Sequence, residues 1–275
     1  MQACTEPKRY LVTKKERSFR SFTMTENESN KPALSRQTLR KWILIVSFLL
    51  IPVTIFYISP IVLMMGAAEG IASGSMILLI LLFILSFFVA RLWCGWLCPM
   101  GAWQEICSPV MKHTVQEGWR KYIKYGIAAL WLGALALTLV TAGGFRSVDP
   151  FYGTVNGISI SSPDVLVIVL VIFAIIFVTA FLTGRRGFCN VLCPMAVVMI
   201  AGRKIRNLVR WPALGLSADA SCCIDCKKCS KECPMGLDVN GMVRSGEMEN
   251  ADCILCANCA DTCPKGAIDY GMGRQ

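Results

Sequence analysis

A doubled cysteine pattern near the end of the chain restricts its fold more than any other feature. In each copy, three cysteines are separated from one another by two residues, and a fourth follows after three more residues and precedes a proline. The two copies are Cys223, Cys226, Cys229 and Cys233, and Cys253, Cys256, Cys259 and Cys263. Three closely spaced cysteines can wrap one face of a metal centre in a tight loop, while the fourth reaches away to a second centre.

This spacing is typical of ferredoxins with two [4Fe–4S] clusters, each of which needs four thiolates. It predicts one cluster held by Cys223, Cys226, Cys229 and Cys263, and a second held by Cys253, Cys256, Cys259 and Cys233. Cys222 lies outside the pattern, because only Cys223 keeps the two-residue spacing to Cys226. Two structural zinc sites are the alternative. Zinc modules usually divide their ligands into two separated pairs, so the pattern favours iron–sulfur clusters.

The rest of the chain is apolar enough for a membrane. Of its 275 residues 55% are hydrophobic and 17% are charged, and the mean hydropathy is +0.53. Four stretches without charged residues are predicted to be transmembrane helices: 42–65, 70–90, 125–145 and 165–184. Each has about twenty residues, enough to cross a hydrocarbon core of about 30 Å. A soluble globular protein would carry more charge, so that class is excluded.

The basic residues are distributed in a way that predicts the orientation in the membrane. Ten of the 28 Lys and Arg residues precede the first predicted span, five separate the second from the third, and twelve follow the fourth. Because cytoplasmic segments are rich in Lys and Arg, both termini and the ferredoxin module are predicted to be cytoplasmic, at a bacterial inner membrane. The net charge of +10 then reflects topology and contact with lipid headgroups, and no nucleic-acid partner is expected.

The numbers of cysteine and histidine residues restrict which cofactors this chain can hold. Fifteen cysteines in a chain with a cytoplasmic module indicate metal ligation rather than disulfides, because cytoplasmic thiols stay reduced. His113 is the single histidine. A membrane haem with two histidine ligands therefore cannot be built within this chain, and no haem is expected in it.

A second cysteine motif occurs twice, at the inner ends of the second and fourth predicted spans. Cys94 and Cys98, then Cys189 and Cys193, each form C-x-x-x-C-P-M, and the two copies are 95 residues apart. Two repeats in the same orientation imply a pseudo-twofold axis along the membrane normal, which would bring the motifs together at the cytoplasmic face. The four thiols could hold a third cluster or another metal, or form a redox-active set. Alternatively they are buried cysteines that only pack helix ends.

The predicted fold class is an α-helical membrane protein with four transmembrane helices in two parallel-oriented repeats, followed by a small α+β ferredoxin-like module. Residues 1–38 are predicted to be a disordered basic arm and 39–201 the membrane domain. Residues 202–221 are predicted to be a basic linker, and 222–275 the module with two [4Fe–4S] clusters.

Over residues 40–269 this combination resembles the NapH/MauN-type membrane ferredoxin proteins. The resemblance implies a quinol dehydrogenase subunit that oxidises menaquinol or ubiquinol. It would pass electrons, with a partner iron–sulfur protein, to a periplasmic reductase such as nitrate reductase. On that reading the eight ferredoxin cysteines carry electrons and the four C-x-x-x-C-P cysteines connect them to the membrane. Quinol oxidation also needs a proton acceptor. The carboxylates near the membrane are Glu69, Asp149, Asp164 and Glu105, and none is singled out as catalytic.

Two other functions remain open. The architecture is also similar to the membrane cores of NosR-type and CcoG-type proteins, and the second likeness implies a metal reductase that delivers copper(I). Soft thiolates suit copper(I) as well as iron. The third possibility is a redox-sensing or assembly subunit without catalytic turnover.

Overall fold

The computed structural model describes residues 35–111 and 118–273. Most of the predicted basic arm and His113 lie outside the described residues.

The first predicted span, residues 42–65, is divided among three helices. They are α1 (Arg36–Leu49), α2 (Ile51–Ile58) and α3 (Pro60–Ala68), and α1 and α2 are bent by 86° at their junction. Pro52 stands in the first turn of α2, and Pro60 begins α3. Proline has no N–H to donate, so it is tolerated at a helix start and breaks a helix interior. The two prolines therefore interrupt the apolar stretch where the sequence places them.

The remaining elements of the membrane part follow in chain order. They are β1 (Ile71–Ser73), α4 (Gly74–Val89), α5 (Leu92–Trp96), α6 (Pro99–Cys107), α7 (Ile123–Thr141), β2 (Ser147–Asp149), α8 (Pro163–Thr183), α9 (Gly187–Val191) and α10 (Pro194–Val209). Strands β1 and β2 pair in parallel. In the described residues, two helices are long and apolar enough to cross a membrane, Trp119–Thr141 and Pro163–Thr183, or three if α1 and α2 together form one span. Helix α4 is apolar but shorter.

The two C-x-x-x-C-P motifs have the same backbone geometry. Cys98 and Cys193 each cap the helix that starts at the following proline, with φ and ψ of −67° and 119° and of −72° and 112°. The amide of Cys98 donates to the carbonyl of Trp93 at 2.9 Å, and that of Cys193 to Phe188 at 3.1 Å. A residue before proline is held in the extended region. Each motif therefore has one cysteine in a short helix and the other at the start of the next.

The C-terminal module is small and contains both helices and strands. Its elements are β3 (Ala213–Ala218), α11 (Lys228–Lys231), α12 (Val239–Ser245), α13 (Asn258–Thr262) and β4 (Ile268–Gly273). Strands β3 and β4 pair antiparallel, from Ala213 opposite Gly273 to Ala218 opposite Ile268. The predicted linker, residues 202–221, thus contributes to both parts, because α10 continues into it and β3 lies within it. One apolar core joins Ala90, Cys94 and Met199 of the membrane part to the module.

Candidate iron–sulfur centres

A cavity in the C-terminal module is surrounded by the first predicted set of cysteines. Its lining includes Cys223, Cys226, Cys229 and Cys263, together with the adjacent Cys222. Cys222 is disulfide-bonded, so the expectation of metal ligation rather than disulfides is wrong for this cysteine. Cys263 comes from the second copy of the pattern, so the fourth thiol of this set is contributed from across the module. The amide of Ala267 donates to the sulfur of Cys263 at 3.4 Å. Four thiols around one space are the donor set of a [4Fe–4S] cluster.

The loops that carry the two cysteine copies share an unusual backbone. The residues just before and just after the second cysteine of each copy have positive φ: 56° at Asp225 and 58° at Lys227, then 51° at Leu255 and 55° at Ala257. None of the four is glycine, and each such residue costs about 1–3 kcal/mol. Backbone strain of this kind collects at ligand-binding sites. Its repetition in both copies indicates that both loops are shaped for the same type of ligand.

The second predicted set of cysteines is also brought together. Cys259 interacts electrostatically with Cys233, Cys253 and Cys256. Burial raises the pKa of Cys233 to about 12, and it also raises the pKa of Cys256. Without a metal these thiols would stay protonated at neutral pH, so a cluster must displace their protons when it binds.

The cysteines of the two C-x-x-x-C-P motifs meet in one place, the four-thiol site, which consists of Cys94, Cys98, Cys189 and Cys193. Cys193 interacts electrostatically with the other three, and Cys98 with Cys94 and Cys189. The motifs support each other reciprocally. Gln104, in α6 after the first motif, donates to the sulfur of Cys189 at 3.1 Å, and Met199, in α10 after the second, contacts the sulfur of Cys94 at 3.6 Å.

A single metal ion and an iron–sulfur cluster need different spacings of their cysteine ligands. In residues 35–111 and 118–273, no group of three or more His, Cys, Asp or Glu side chains is close enough to hold a single metal ion. A zinc ion needs its sulfur ligands at about 2.3 Å, whereas a cluster of four irons and four sulfides holds its ligands farther apart. The donor chemistry of all three sets, four cysteines each, fits a [4Fe–4S] cluster.

Two buried arginines flank the four-thiol site, each three residues before a motif. The exposed fractions of Arg91 and Arg186 are 0% and 1%. Arg186 donates to the carbonyl of Cys94 at 2.7 Å, and Arg91 interacts electrostatically with Cys94, Cys189 and Cys193. In the described part of the chain, Nε and Nη2 of Arg91 and Nε of Arg186 have no hydrogen-bond partner of normal geometry, and the guanidinium of Arg91 faces the thiol of Cys94. Buried donors without partners are costly, and an anionic group among the four thiols would satisfy them.

The buried charges around this site leave an excess of positive charge. The cations are Arg40, Arg91, Lys124 and Arg186, and the carboxylates are Glu105 and Asp252. Glu105 pairs with Arg40 at 2.6 Å and with Arg186 at 2.9 Å, and Asp252 pairs with Arg91 at 3.3 Å and with Lys124. Among the residues that the structure describes, four cations thus face two carboxylates. Because uncompensated buried charge is strongly unfavourable, the site is suited to an occupant with negative charge.

The carboxylates considered as proton acceptors lie in two different places. Burial raises the pKa of Glu105, but Arg186 and Arg40 outweigh this effect and hold it at about 2. Glu105 therefore stays ionised at neutral pH and is already engaged in ion pairs. Glu69 lies beside β1, Asp149 lies in β2, and Asp164 lies in the first turn of α8. These three stand at the ends of α4 and α8 that are remote from the cysteines.

The loop of the second cysteine set docks directly on the four-thiol site. A Cβ atom at Gly95 would lie 2.3 Å from the carbonyl oxygen of Ile254, so only glycine permits this approach. Next to it, the indole N–H of Trp96 donates to the carbonyl of Leu255 at 3.1 Å. Arg203 of α10 donates to the carbonyl of Cys253 at 3.2 Å. The second set therefore faces the membrane part of the chain.

Sequence families match both parts of this arrangement. A family described as a 4Fe-4S binding domain matches residues 72–115 and 165–212, and these two segments contain the C-x-x-x-C-P motifs. A family described as a 4Fe-4S dicluster domain matches residues 222–268, which contain the doubled ferredoxin pattern. The chain is an iron–sulfur protein. The prediction of iron–sulfur domains in a membrane protein is confirmed at this level.

Similar proteins come from several bacteria. The chain is 23% identical over 212 residues to the "Putative electron transport protein YccM" of Escherichia coli (strain K12), a match that covers 68% of this chain and 53% of the relative. It is 29% identical over 187 residues to the regulatory protein NosR of Pseudomonas aeruginosa, covering 61% of this chain and 24% of NosR. It is 25% identical over 198 residues to the protein RdxB of Cereibacter sphaeroides, covering 58% and 38%.

The chain thus spans about half or less of the length of the curated relatives it matches. No solved structure matches it.

Sequence reasoning named Glu105 among the carboxylates near the membrane, but it missed the role of the buried cations, Asp252 and Gly95 at this site. The buried arginines have a sequence signal, because Arg91 and Arg186 extend both motifs to R-x-x-C-x-x-x-C-P. Asp252 is adjacent to Cys253, but nothing in the sequence indicates that it pairs with Lys124, which is 128 residues away. Gly95 carries no signal of its own, since its role depends on the docking of Ile254.

Proposed function

We propose that this chain is a membrane electron-transfer protein that oxidises quinol and delivers the electrons on the cytoplasmic side. The observation that carries the proposal is the docking of the second cysteine loop on the four-thiol site, through Gly95 and Ile254. Electron transfer requires centres that are close together. The proposal is supported because Gly95 packs against Ile254 and a shared apolar core joins Cys94 to the module, which brings the four-thiol site next to the loop of the second cysteine set.

The proposal includes a third [4Fe–4S] cluster at the four-thiol site. Cys94, Cys98, Cys189 and Cys193 would hold it, and it would supply one-electron transfer there. The support is the donor set, the unpaired nitrogens of Arg91 and Arg186, and the match of both motif segments to a 4Fe-4S family. The buried arginines would compensate the charge of the cluster, and the apolar surroundings would exclude water from it.

The chain is further proposed to lie in the bacterial inner membrane with four spans in two repeats and its cysteines on the cytoplasmic side. The distribution of basic residues and the equal geometry at Cys98 and Cys193 support this arrangement. Electrons would leave on the cytoplasmic side through a partner iron–sulfur protein, and a partner or a route through the spans would have to carry them across the membrane to a periplasmic reductase. The likeness to the "Putative electron transport protein YccM" supports an electron-transport role, though not a particular acceptor.

A copper reductase is the second candidate, and one contact favours it. The thioether of Met199 lies 3.6 Å from the sulfur of Cys94, and thiolates together with thioethers select copper(I). Anaerobically purified protein whose four-thiol site binds copper(I) and contains no iron would support this candidate over the quinol dehydrogenase.

Quinol oxidation is tested by adding menaquinol to the anaerobically purified protein in lipid and following the clusters by electron paramagnetic resonance. We expect signals of reduced clusters to appear within the time of enzymatic turnover. If the clusters stay oxidised with quinol but are reduced by dithionite, the chain does not oxidise quinol. A menaquinol analogue whose two ring hydroxyls are blocked as methyl ethers, and which therefore cannot be oxidised, serves as the control, and it should give no signal.

A further inference from the structure

The two ferredoxin loops have the same backbone, but they meet different surroundings. Ile224 and Ile254 occupy the same position, directly after the first cysteine of each copy. Ile254 is 2% exposed and packs on Gly95, whereas Ile224 is 57% exposed. In the same way Cys256 is buried, while Cys226 is exposed. One loop is therefore docked on the membrane part, and its counterpart presents the same apolar residue and an exposed ligand cysteine to solvent.

The residues that follow the second cysteine differ in charge between the loops. In the docked loop they are Ala257 and Asn258, and in the exposed loop they are Lys227 and Lys228. Lys265 borders the cavity of the first cysteine set, and Arg244 interacts electrostatically with Asp225. In the described part of the chain, Lys227, Lys228 and Lys265 thus lie near Ile224 and Cys226, with Asp225 between Arg244 and Lys227. This arrangement, an apolar centre within a basic rim, is complementary to a partner with an acidic rim.

The described residues of the membrane part make no side-chain hydrogen bond or ion pair with this surface. Among the described residues, no side-chain hydrogen bond or ion pair joins residues 223–229 to any residue before 210, whereas the second loop is bound by Trp96, Arg91 and Arg203. Within residues 35–111 and 118–273, these contacts place the second loop toward the membrane part, and Ile224 and Cys226 of the first loop are exposed. A protein partner that approaches the module would meet the first cysteine set.

We propose that the surface formed by Ile224, Cys226, Lys227, Lys228 and Lys265 is the docking site of an acidic, soluble one-electron carrier. Ile224 would insert into the carrier as Ile254 inserts against Gly95, and the lysines would attract its carboxylates. In each encounter one electron would pass from a reduced cluster held by the first cysteine set to the oxidised carrier. No bond would form or break, and no proton would be transferred. This inference rests on the proposed function and specifies where its partner binds.

The test measures binding, which does not depend on quinol. The full chain is placed in nanodiscs of zwitterionic lipid and titrated with an oxidised, acidic plant-type [2Fe–2S] ferredoxin as the probe. At about 0.01 M ionic strength the Debye length is about 30 Å, so a charge effect is fully visible. We expect Lys227→Glu with Lys228→Glu to weaken binding at least about tenfold at low salt and little at high salt. We expect Ile224→Asp to weaken binding at both low and high salt.

The control changes the net charge by the same amount on exposed lysines elsewhere, Lys41→Glu with Lys204→Glu, and should leave the affinity as it is. Cluster signals are compared in every variant, and Lys227→Gln with Lys228→Gln replaces the charge reversal if that variant loses its clusters. The proposal is overturned if the wild type does not bind the probe, if the patch variants bind equally well, or if the control weakens binding as much. It is also overturned if the surface formed by Ile224, Cys226, Lys227, Lys228 and Lys265 binds vesicles with anionic lipid in preference to the probe.

A failure here is distinguishable from a failure of the proposed function. If quinol reduces the clusters but the probe binds without using the patch, only the docking site is wrong. If the patch binds the probe but quinol does not reduce the clusters, the surface stands and the quinol reaction does not.

Discussion

The double substitution Cys98→Ser and Cys193→Ser is expected to lower the rate at which quinol reduces the ferredoxin clusters by at least about 100-fold. Substitution of a residue that only supports a metal ligand already lowers metal affinity or activity by about 10–100-fold, and this variant removes two ligands. Each serine removes one thiol from the four-thiol site. Cys98 and Cys193 are the N-cap residues of the helices that follow them, and serine, which has a similar size, is compatible with that position. Reduction by dithionite should be unchanged, because the cysteines of the C-terminal module are intact. Rapid mixing with quinol, followed by electron paramagnetic resonance, measures both rates.

The matched control is Cys107→Ser. Cys107 lies at the end of α6, outside both motifs, and is partly buried like Cys98 and Cys193. Its variant should be reduced by quinol at the wild-type rate. Equal rates in the double variant and the wild type would show that the four-thiol site is not needed for the path from quinol to the module, and the cysteines there would then serve only to pack helix ends.

The substitution Asp252→Ala is expected to destabilise the contact between the module and the membrane part by about 3–5 kcal/mol, which is typical when one partner of a buried ion pair is removed. Asp252 is the carboxylate partner of Arg91 and Lys124, whose side chains are fully buried. Without it both cations remain in the interior next to the four-thiol site. Urea unfolding in detergent, followed by the visible absorbance of the clusters, measures the loss.

Asp261→Ala is the comparison, because its ion pair is exposed. Asp261 pairs with Arg36 at 3.0 Å, and the two side chains are 27% and 35% exposed. Such surface pairs contribute about 0–1 kcal/mol. If the two variants lose the same free energy of unfolding, or if Asp252→Ala loses none, the buried charge network does not hold the module in place as described.

The spacing of residues in the chain carried most of what could be predicted. The cysteines of the module lie within short loops, so their grouping follows from local geometry once the fourth cysteine is assigned to the opposite copy. The meeting of the two C-x-x-x-C-P motifs was also suggested by their repetition. In both cases the chemistry requires a fixed number of ligands at a fixed spacing, and such a requirement can be recognised in the amino-acid sequence.

What could not be predicted depends on tertiary approach. The apolar stretch 42–65 is long enough to span a membrane, but length does not reveal the 86° bend between α1 and α2. Arg40, Arg91 and Arg186 were assigned to the basic side of the membrane by the distribution of charge, yet each is almost fully buried. Arg40 and Arg186 are buried against Glu105, and Arg91 against Asp252, at separations of 65, 81 and 161 residues in the chain. Gly95 likewise has a role only because Ile254 packs against it.

The number of clusters in each chain tests the central claim most directly. Iron and acid-labile sulfide are measured in the anaerobically purified wild-type protein, with Mössbauer spectroscopy to identify the cluster type. Three [4Fe–4S] clusters predict about twelve iron and about twelve sulfide per chain. A fully loaded preparation with about eight of each would contradict the account, because the four-thiol site would then hold no cluster and the buried arginines beside it would need another explanation.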